Sequence, residues 1–222
     1  MDKKRAAAER AVEFVEDGMI VGLGTGSTAN LAIQAIGRRV GEGLKITGVA
    51  TSRASEELAR SLGIMIVDVN DVPGVDLTID GADEVDLSLN LIKGMGGALL
   101  REKVVAYASQ EEVIAVDDSK LVDILGTKSP LPVEVARFGH LKTKAAMESL
   151  GCVANIKGGA QPFETDNGNF VYECHFEKIE DPELLEAELH LIPGVVESGL
   201  FIDLATKVVV GTEHGTEIRR RA

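Results

Sequence analysis

Short apolar runs alternate with helix-period segments through the first 120 residues. Met19–Leu23, Lys45–Ala50, Ile64–Val67, Val75–Ile79 and Glu112–Val116 read as strands bounded by glycine, proline or polar turns. Helical spacing covers residues 2–16, about 29–40, 55–61 and a run starting near Ala98. Parallel strands need a crossover of helix length between them, whereas antiparallel neighbours join by tight turns. A mostly parallel sheet covered by helices is the arrangement this order predicts.

The rhythm changes after Gly126–Pro132, where glycine and two prolines mark a boundary. Val133–Phe138 reads as a strand, Leu141–Leu150 as a helix, and Cys152–Ile156 and Phe170–Phe176 as strands. Pro182–Leu191 is a helix, and Val195–Val196 begins a short strand. That βαββαβ order is ferredoxin-like. Lys207–Val210 is β-branched and suited to rejoin the first sheet. The expected fold is α/β, a Rossmann-like mostly parallel sheet with an inserted ferredoxin-like α+β domain. The expected domains are 1–130 plus 201–222, and 131–200.

A formal net charge of -13 and a pI near 4.8 set the chain against nucleic acid and anionic membranes as partners. An anionic substrate then needs a local set of lysines or backbone N–H groups. Cys152 and Cys174 make no disulfide framework, and His140, His175, His190 and His214 follow no zinc spacing. No bound metal is expected. The opening MDKKRAAAERAVEFVEDG lacks an apolar leader, and no apolar run is long enough to span a bilayer. A soluble cytoplasmic protein is the expectation.

Polar residues gather where strands end. Gly24-Thr25-Gly26-Ser27-Thr28 follows the first strand and leads into a helix, the general recipe for anion binding. Ser27 stands where a dinucleotide loop has its third glycine, and no Gly-Lys-Ser follows. A small phosphate, a purely structural turn and a dinucleotide are the three readings of this loop. A nicotinamide oxidoreductase would rest on this loop alone. Asp80, Asp83, Glu84 and Asp86 fall just past the fourth strand, ahead of Lys93 and the glycines at 94, 96 and 97. On the following helix Leu100, Val104 and Tyr107 read as an apolar stripe, and Glu102 lies over Ala98 and Ala106. A glutamate between alanines fits a base in a pocket, or an ordinary solvated side chain. Asp117-Asp118-Ser119-Lys120 repeats the polar strand end, and Lys3, Lys4 and Arg5 load the first helical turn with positive charge.

Four blocks resemble the A-type ribose-5-phosphate isomerases: GLGTGSTA at 22–29, DGADEVD at 80–86, KGMGGALLREK at 93–103 and DDSK at 117–120. LPVEV at 131–135 and GVVESGLF at 194–201 extend the match over nearly the whole chain, with Met95 departing from the commoner all-glycine form. The resemblance implies reversible conversion of D-ribose 5-phosphate to D-ribulose 5-phosphate through a cis-enediol(ate). It implies Glu102 as general base, with Asp80, Asp83 and Lys93 as its catalytic companions. The substrate-binding set it implies adds Lys4, Gly24, Thr25, Gly26, Ser27, Thr28, Gly81, Ala82, Gly94, Met95, Gly96, Gly97 and Lys120. No cofactor and no metal are implied. The partners implied are a small sugar phosphate and further copies of the chain, as a homodimer or homotetramer.

Overall fold

The computed structural model describes residues 2–221. The chain divides into two compact units. The first takes the described residues up to Ala82, Arg101–Lys120 and those from Asp203 on; the second takes Asp83–Leu100 and Leu121–Ile202.

In chain order the first unit begins with α1 (Lys3–Val12), β1 (Ile20–Leu23), α2 (Ser27–Gly41), β2 (Thr47–Ala50), α3 (Arg53–Ser61), β3 (Met65–Ile66) and β4 (Val75–Asp80). The second unit supplies β5 (Glu84–Val85) and β6 (Leu91–Ile92). Then come α4 (Leu99–Tyr107) and β7 (Ser109–Asp117). The second unit resumes with β8 (Leu131–Val135), α5 (His140–Glu148), β9 (Val153–Ile156), β10 (Phe170–His175), α6 (Pro182–His190), β11 (Val195–Ser198) and β12 (Leu200–Phe201). The first unit closes with β13 (Lys207–Thr212) and β14 (Gly215–Arg220).

The first unit holds a sheet ordered β14-β13-β7-β4-β1-β2-β3. Every pairing in it is parallel except that of β14. From β1 the chain runs outward through β2 and β3, then jumps to the other side of β1 for β4. The gap at the carboxyl ends of β1 and β4 is therefore a topological switch point, where open α/β sheets receive ligands. Val21, Leu23, Leu77, Ile79, Val113 and Ala115 bury one face in a cluster that includes Ala7, Ala11, Ile33 and Ile36 of α1 and α2. Val49 and Val75 pack on Val105 of α4 in a separate cluster. Burial on both faces explains why these strands read as continuous apolar runs rather than alternating ones.

The second unit holds an antiparallel sheet ordered β11-β8-β10-β9. With α5 and α6 between its strands, this is the expected ferredoxin-like βαββαβ pattern. Leu131, Val133, Val135, Tyr172 and Cys174 form one buried face against Met147, Leu185 and Leu189. A smaller sheet, β12-β6-β5, has no counterpart in the sequence reading. It draws residues 83–100 into the second unit through the Leu200–Ile92 and Phe201–Leu91 pairs. The observed division thus differs from boundaries at 130 and 200. Two-residue strands are too short to show an alternation.

On α4 the apolar stripe reads the wrong way round. Val104 is 46% and Tyr107 83% exposed, while Leu99, Val105 and Ala106 are buried together with Glu102. Among the described residues no helix is long and apolar enough to cross a membrane.

Candidate active site

The end of β4 belongs to the first unit. Asp80 is 1% exposed, and its Oδ1 accepts hydrogen bonds from the amides of Thr25 at 3.1 Å and Gly81 at 2.7 Å. Gly24 faces the same carboxylate, and its amide donates to the carbonyl of Ile79 at 3.0 Å. The glycine loop after β1 and the first aspartate of the acidic run are therefore one construction.

A hydroxyl cluster holds that loop from behind. Thr25 Oγ1 lies 2.7 Å from Thr51 Oγ1, 2.8 Å from Ser52 Oγ and 3.1 Å from Ser55 Oγ. Ser55 donates to the Gly24 carbonyl at 2.7 Å, and Thr51 to that of Leu23 at 3.1 Å. Sequence reasoning singled out Thr25 and missed Thr51, Ser52 and Ser55. Their only sequence signal is a Thr-Ser pair ending a strand and capping a helix, because the partners are 26 to 30 positions apart.

Helix α2 starts at Ser27, two residues before the expected Ala29, with Gly26 as its N-cap at φ 112° and no side-chain hydrogen bond at the cap. Ser27 and Thr28 thus lie in the first turn, where backbone N–H groups and the helix dipole favour an anion. A second cationic feature comes from Lys4 and Lys120. Burial works to raise the Asp117 carboxyl, yet Ser119 hydrogen bonds and the charges of Lys4 and Lys120 hold it below its ordinary range. Lys4 and Lys120 therefore act on one spot at the end of β7. Lys3, their neighbour, is taken by Asp118 at 3.0 Å.

Glu102 is 4% exposed on α4, on the side that carries the buried Ala98 and Ala106. The solvated reading of this glutamate is excluded. Its neighbours one turn before and one turn after are both alanines.

Asp83, Lys93 and the glycine loop belong to the second unit. The Asp83 amide donates to Ile92 O at 2.8 Å, and its Oδ2 accepts from the Met95 amide at 3.1 Å. Lys93 is 2% exposed, its amide donates to Gly199 O at 2.9 Å, and its Nζ stands 5.3 Å from the centre of the Phe201 ring. The Gly97 amide donates to Gly94 O at 2.8 Å. Of the four amides at 94–97, that of Met95 is thus committed to Asp83 and that of Gly97 to the loop itself. Gly81, Ala82 and Met95 are half-buried, and Gly96 is exposed.

The four clustered acids divide by role. Glu84 is fully buried and accepts from the amides of Gly126, Lys128 and Ser129, so it staples that loop. Asp86 accepts from the amides of Ser88 and Asn90 and closes its own turn. Asp80 and Asp83 are the pair set at loops that also carry the glycines. Among the described residues one group of metal-type side chains converges, Glu186, His190 and Glu197, with ligand atoms within 4.8 Å of one another. It lies on α6 and β11, includes none of the residues above, and already holds His190 Nε2 3.0 Å from Glu197 Oε1.

The family model for ribose 5-phosphate isomerase A (phosphoriboisomerase A) matches residues 47–215. The ribose-5-phosphate isomerase A of Parvibaculum lavamentivorans is 50% identical over 225 residues, covering 98% of this chain and 97% of its own. That of Gloeobacter violaceus is 52% identical over 217 residues, covering 97% of this chain and 94% of its own. Among solved structures, ribose 5-phosphate isomerase A from Methanocaldococcus jannaschii superposes with a TM-score of 0.94 at 42% identity, covering 99% of this chain and 98% of that one. A D-ribose-5-phosphate isomerase in complex with phospho-erythronic acid gives 0.95 at 39% identity, with coverage of 99% and 98%. On this evidence the chain belongs to the ribose 5-phosphate isomerase A family.

Proposed function

We propose that the chain interconverts D-ribose 5-phosphate and D-ribulose 5-phosphate, with Glu102 as the general base. Family membership supports the reaction, and the burial of Glu102 between two alanines is the observation that carries the assignment of the base. The sugar opens its ring, and the Glu102 carboxylate takes the proton from C2, next to the aldehyde. The electron pair left behind forms the C1–C2 double bond of a cis-enediol(ate). The same carboxyl returns the proton to C1, while the C2 hydroxyl gives up its proton and the C1 oxygen gains one. Atoms and charge balance with no redox partner. Burial keeps the carried proton from leaking to water.

Asp80, Asp83 and Lys93 serve the hydroxyls and the developing charge on oxygen, with the 94–97 loop as a source of fixed dipoles. The first turn of α2, Lys4 and Lys120 take the phosphate. A relative was solved with phospho-erythronic acid. Its carboxylate and phosphate resemble the planar enediolate end and the phosphate end of the intermediate, so this chain should bind it as a competitive inhibitor. The assembly we propose is a homodimer or homotetramer in the cytoplasm, working without metal. Purified protein, exhaustively chelated, should convert ribose 5-phosphate to the ketose phosphate at its full rate. Absence of ketose overturns the reading, and loss restored by one divalent ion overturns its metal-free form.

A further inference from the structure

The connection between β9 and β10, residues 157–169, is far longer than a hairpin needs. It is also closed on itself twice. The Phe163 amide donates to Lys157 O at 2.8 Å, and the Thr165 amide donates to Asn169 O at 2.9 Å. The second turn is fastened to β8 by Glu134, which is fully buried. Glu134 Oε1 accepts from Thr165 Oγ1 at 3.0 Å, Asn167 Nδ2 at 3.2 Å and Asn169 Nδ2 at 2.8 Å. Burying a carboxylate is costly unless donors compensate it, so this anchor is a specific one.

Phe163 is held between the two turns. Lys157 Nζ stands 5.9 Å from the centre of its ring and pairs with Glu173 at 3.1 Å. The ring ends at Gly97. A Cβ built on Gly97 would lie 2.3 Å from Phe163 Cε1 and 2.5 Å from Cζ. Gly97 is at φ +83°, in the left-handed region that only glycine enters cheaply. The ring therefore occupies the space that a side chain at position 97 would need, and it presses on the last residue of the 94–97 loop.

We propose that Phe163 is a positioning residue for that loop. Its ring, locked by the turns at 157–163 and 165–169, keeps the 94–97 backbone in the one orientation that serves the reacting oxygens. This rests on the reading that the loop faces substrate. A loop that must hold donors for a transient oxyanion gains from a rigid backing, because misplacement by about 1 Å costs on the order of a hundredfold in rate.

The test combines amide hydrogen exchange with steady-state kinetics on Phe163→Ala and Phe163→Leu, the second variant guarding against gross misfolding. Exchange at 95–98 should speed up in Phe163→Ala, while the backbone amides of Asn167 and Asn169, which donate to Thr165 Oγ1 at 3.2 Å, keep wild-type protection. Turnover should fall by about tenfold or more with KM nearly unchanged, and Phe163→Leu should recover most of it. Unchanged exchange at 95–98 overturns the inference. Faster exchange with wild-type turnover overturns it too. Failure of the underlying site reading is told apart in the wild-type protein, where phospho-erythronic acid would then leave exchange at 95–98 unchanged.

Discussion

Gly24 and Asp80 face each other across the switch point of the large sheet, so closely that a methyl group on Gly24 would sit 2.2 Å from the Asp80 carboxyl carbon. The glycine of the first loop is fixed by the aspartate of the fourth strand. Gly24→Ala must therefore displace that carboxylate or the loop. Overpacking of this kind typically costs about 1–3 kcal/mol, and a shift of the carboxylate should lower kcat/KM by about a hundredfold. Thermal unfolding and kinetics on the same preparation separate the two effects. A variant that is destabilised yet fully active would show that Asp80 has no part in the chemistry.

Glu84 makes the opposite prediction although it lies four residues from Asp80. Its carboxylate carries the amides of Gly126, Lys128 and Ser129. Glu84→Ala leaves those buried donors without a charged acceptor and should destabilise the fold by about 3 kcal/mol or more. At temperatures where the variant stays folded, KM and kcat should stay within about twofold of wild type, because a carboxylate whose two oxygens are both taken up by backbone amides adds no transition-state binding. Denaturant titration and initial rates measure both.

Lys120 and Asp117 share the end of β7. The phosphate does not react, so a lysine bound to it contributes equally to ground and transition states. Lys120→Ala should weaken ribose 5-phosphate binding by about tenfold while single-turnover chemistry changes little. A large turnover defect at unchanged affinity would move Lys120 to the reacting end.

The lowered Asp117 carboxyl makes a separate prediction in pH. A depressed folded-state value means the unfolded chain binds the proton more readily. The stability contributed is complete above the unfolded value of about 3.9 and is lost as pH falls through the folded one. Asp117→Asn should therefore be less stable than wild type at pH 7, with the gap in urea midpoint closing below about pH 4. A gap that persists unchanged in acid would place its cause in packing instead.

Most of the large sheet was legible because its strands are buried on both faces and separated by helices of clear period. β14 escaped notice because Gly215–Arg220 is a polar edge strand with no buried residue to set an apolar pattern. β5, β6 and β12 escaped because two residues carry no pattern. The site was legible as a set of oddities at strand ends, and the division of its four acids was not. Nothing in the spacing of Asp80, Asp83, Glu84 and Asp86 tells that Glu84 staples residues 126–129, more than forty positions on. The face of α4 was misread for a related reason. Periodicity finds the apolar side, and here Glu102 and two alanines occupy the buried side while Val104 and Tyr107 face outward. A polar residue on a buried face appears in sequence only as a missing apolar one.

The most direct measurement of the central claim is made on Glu102→Gln. Glutamine keeps the length and nearly the shape of the side chain, so Ala98 and Ala106 should still pack around it and the variant should still bind ribose 5-phosphate. Net isomerisation and exchange of the substrate C2 proton with heavy water are then followed together. If Glu102 makes the enediolate, both fall together by about two to four orders of magnitude. Exchange persisting at the wild-type rate would contradict the account, because another group would then be taking the C2 proton.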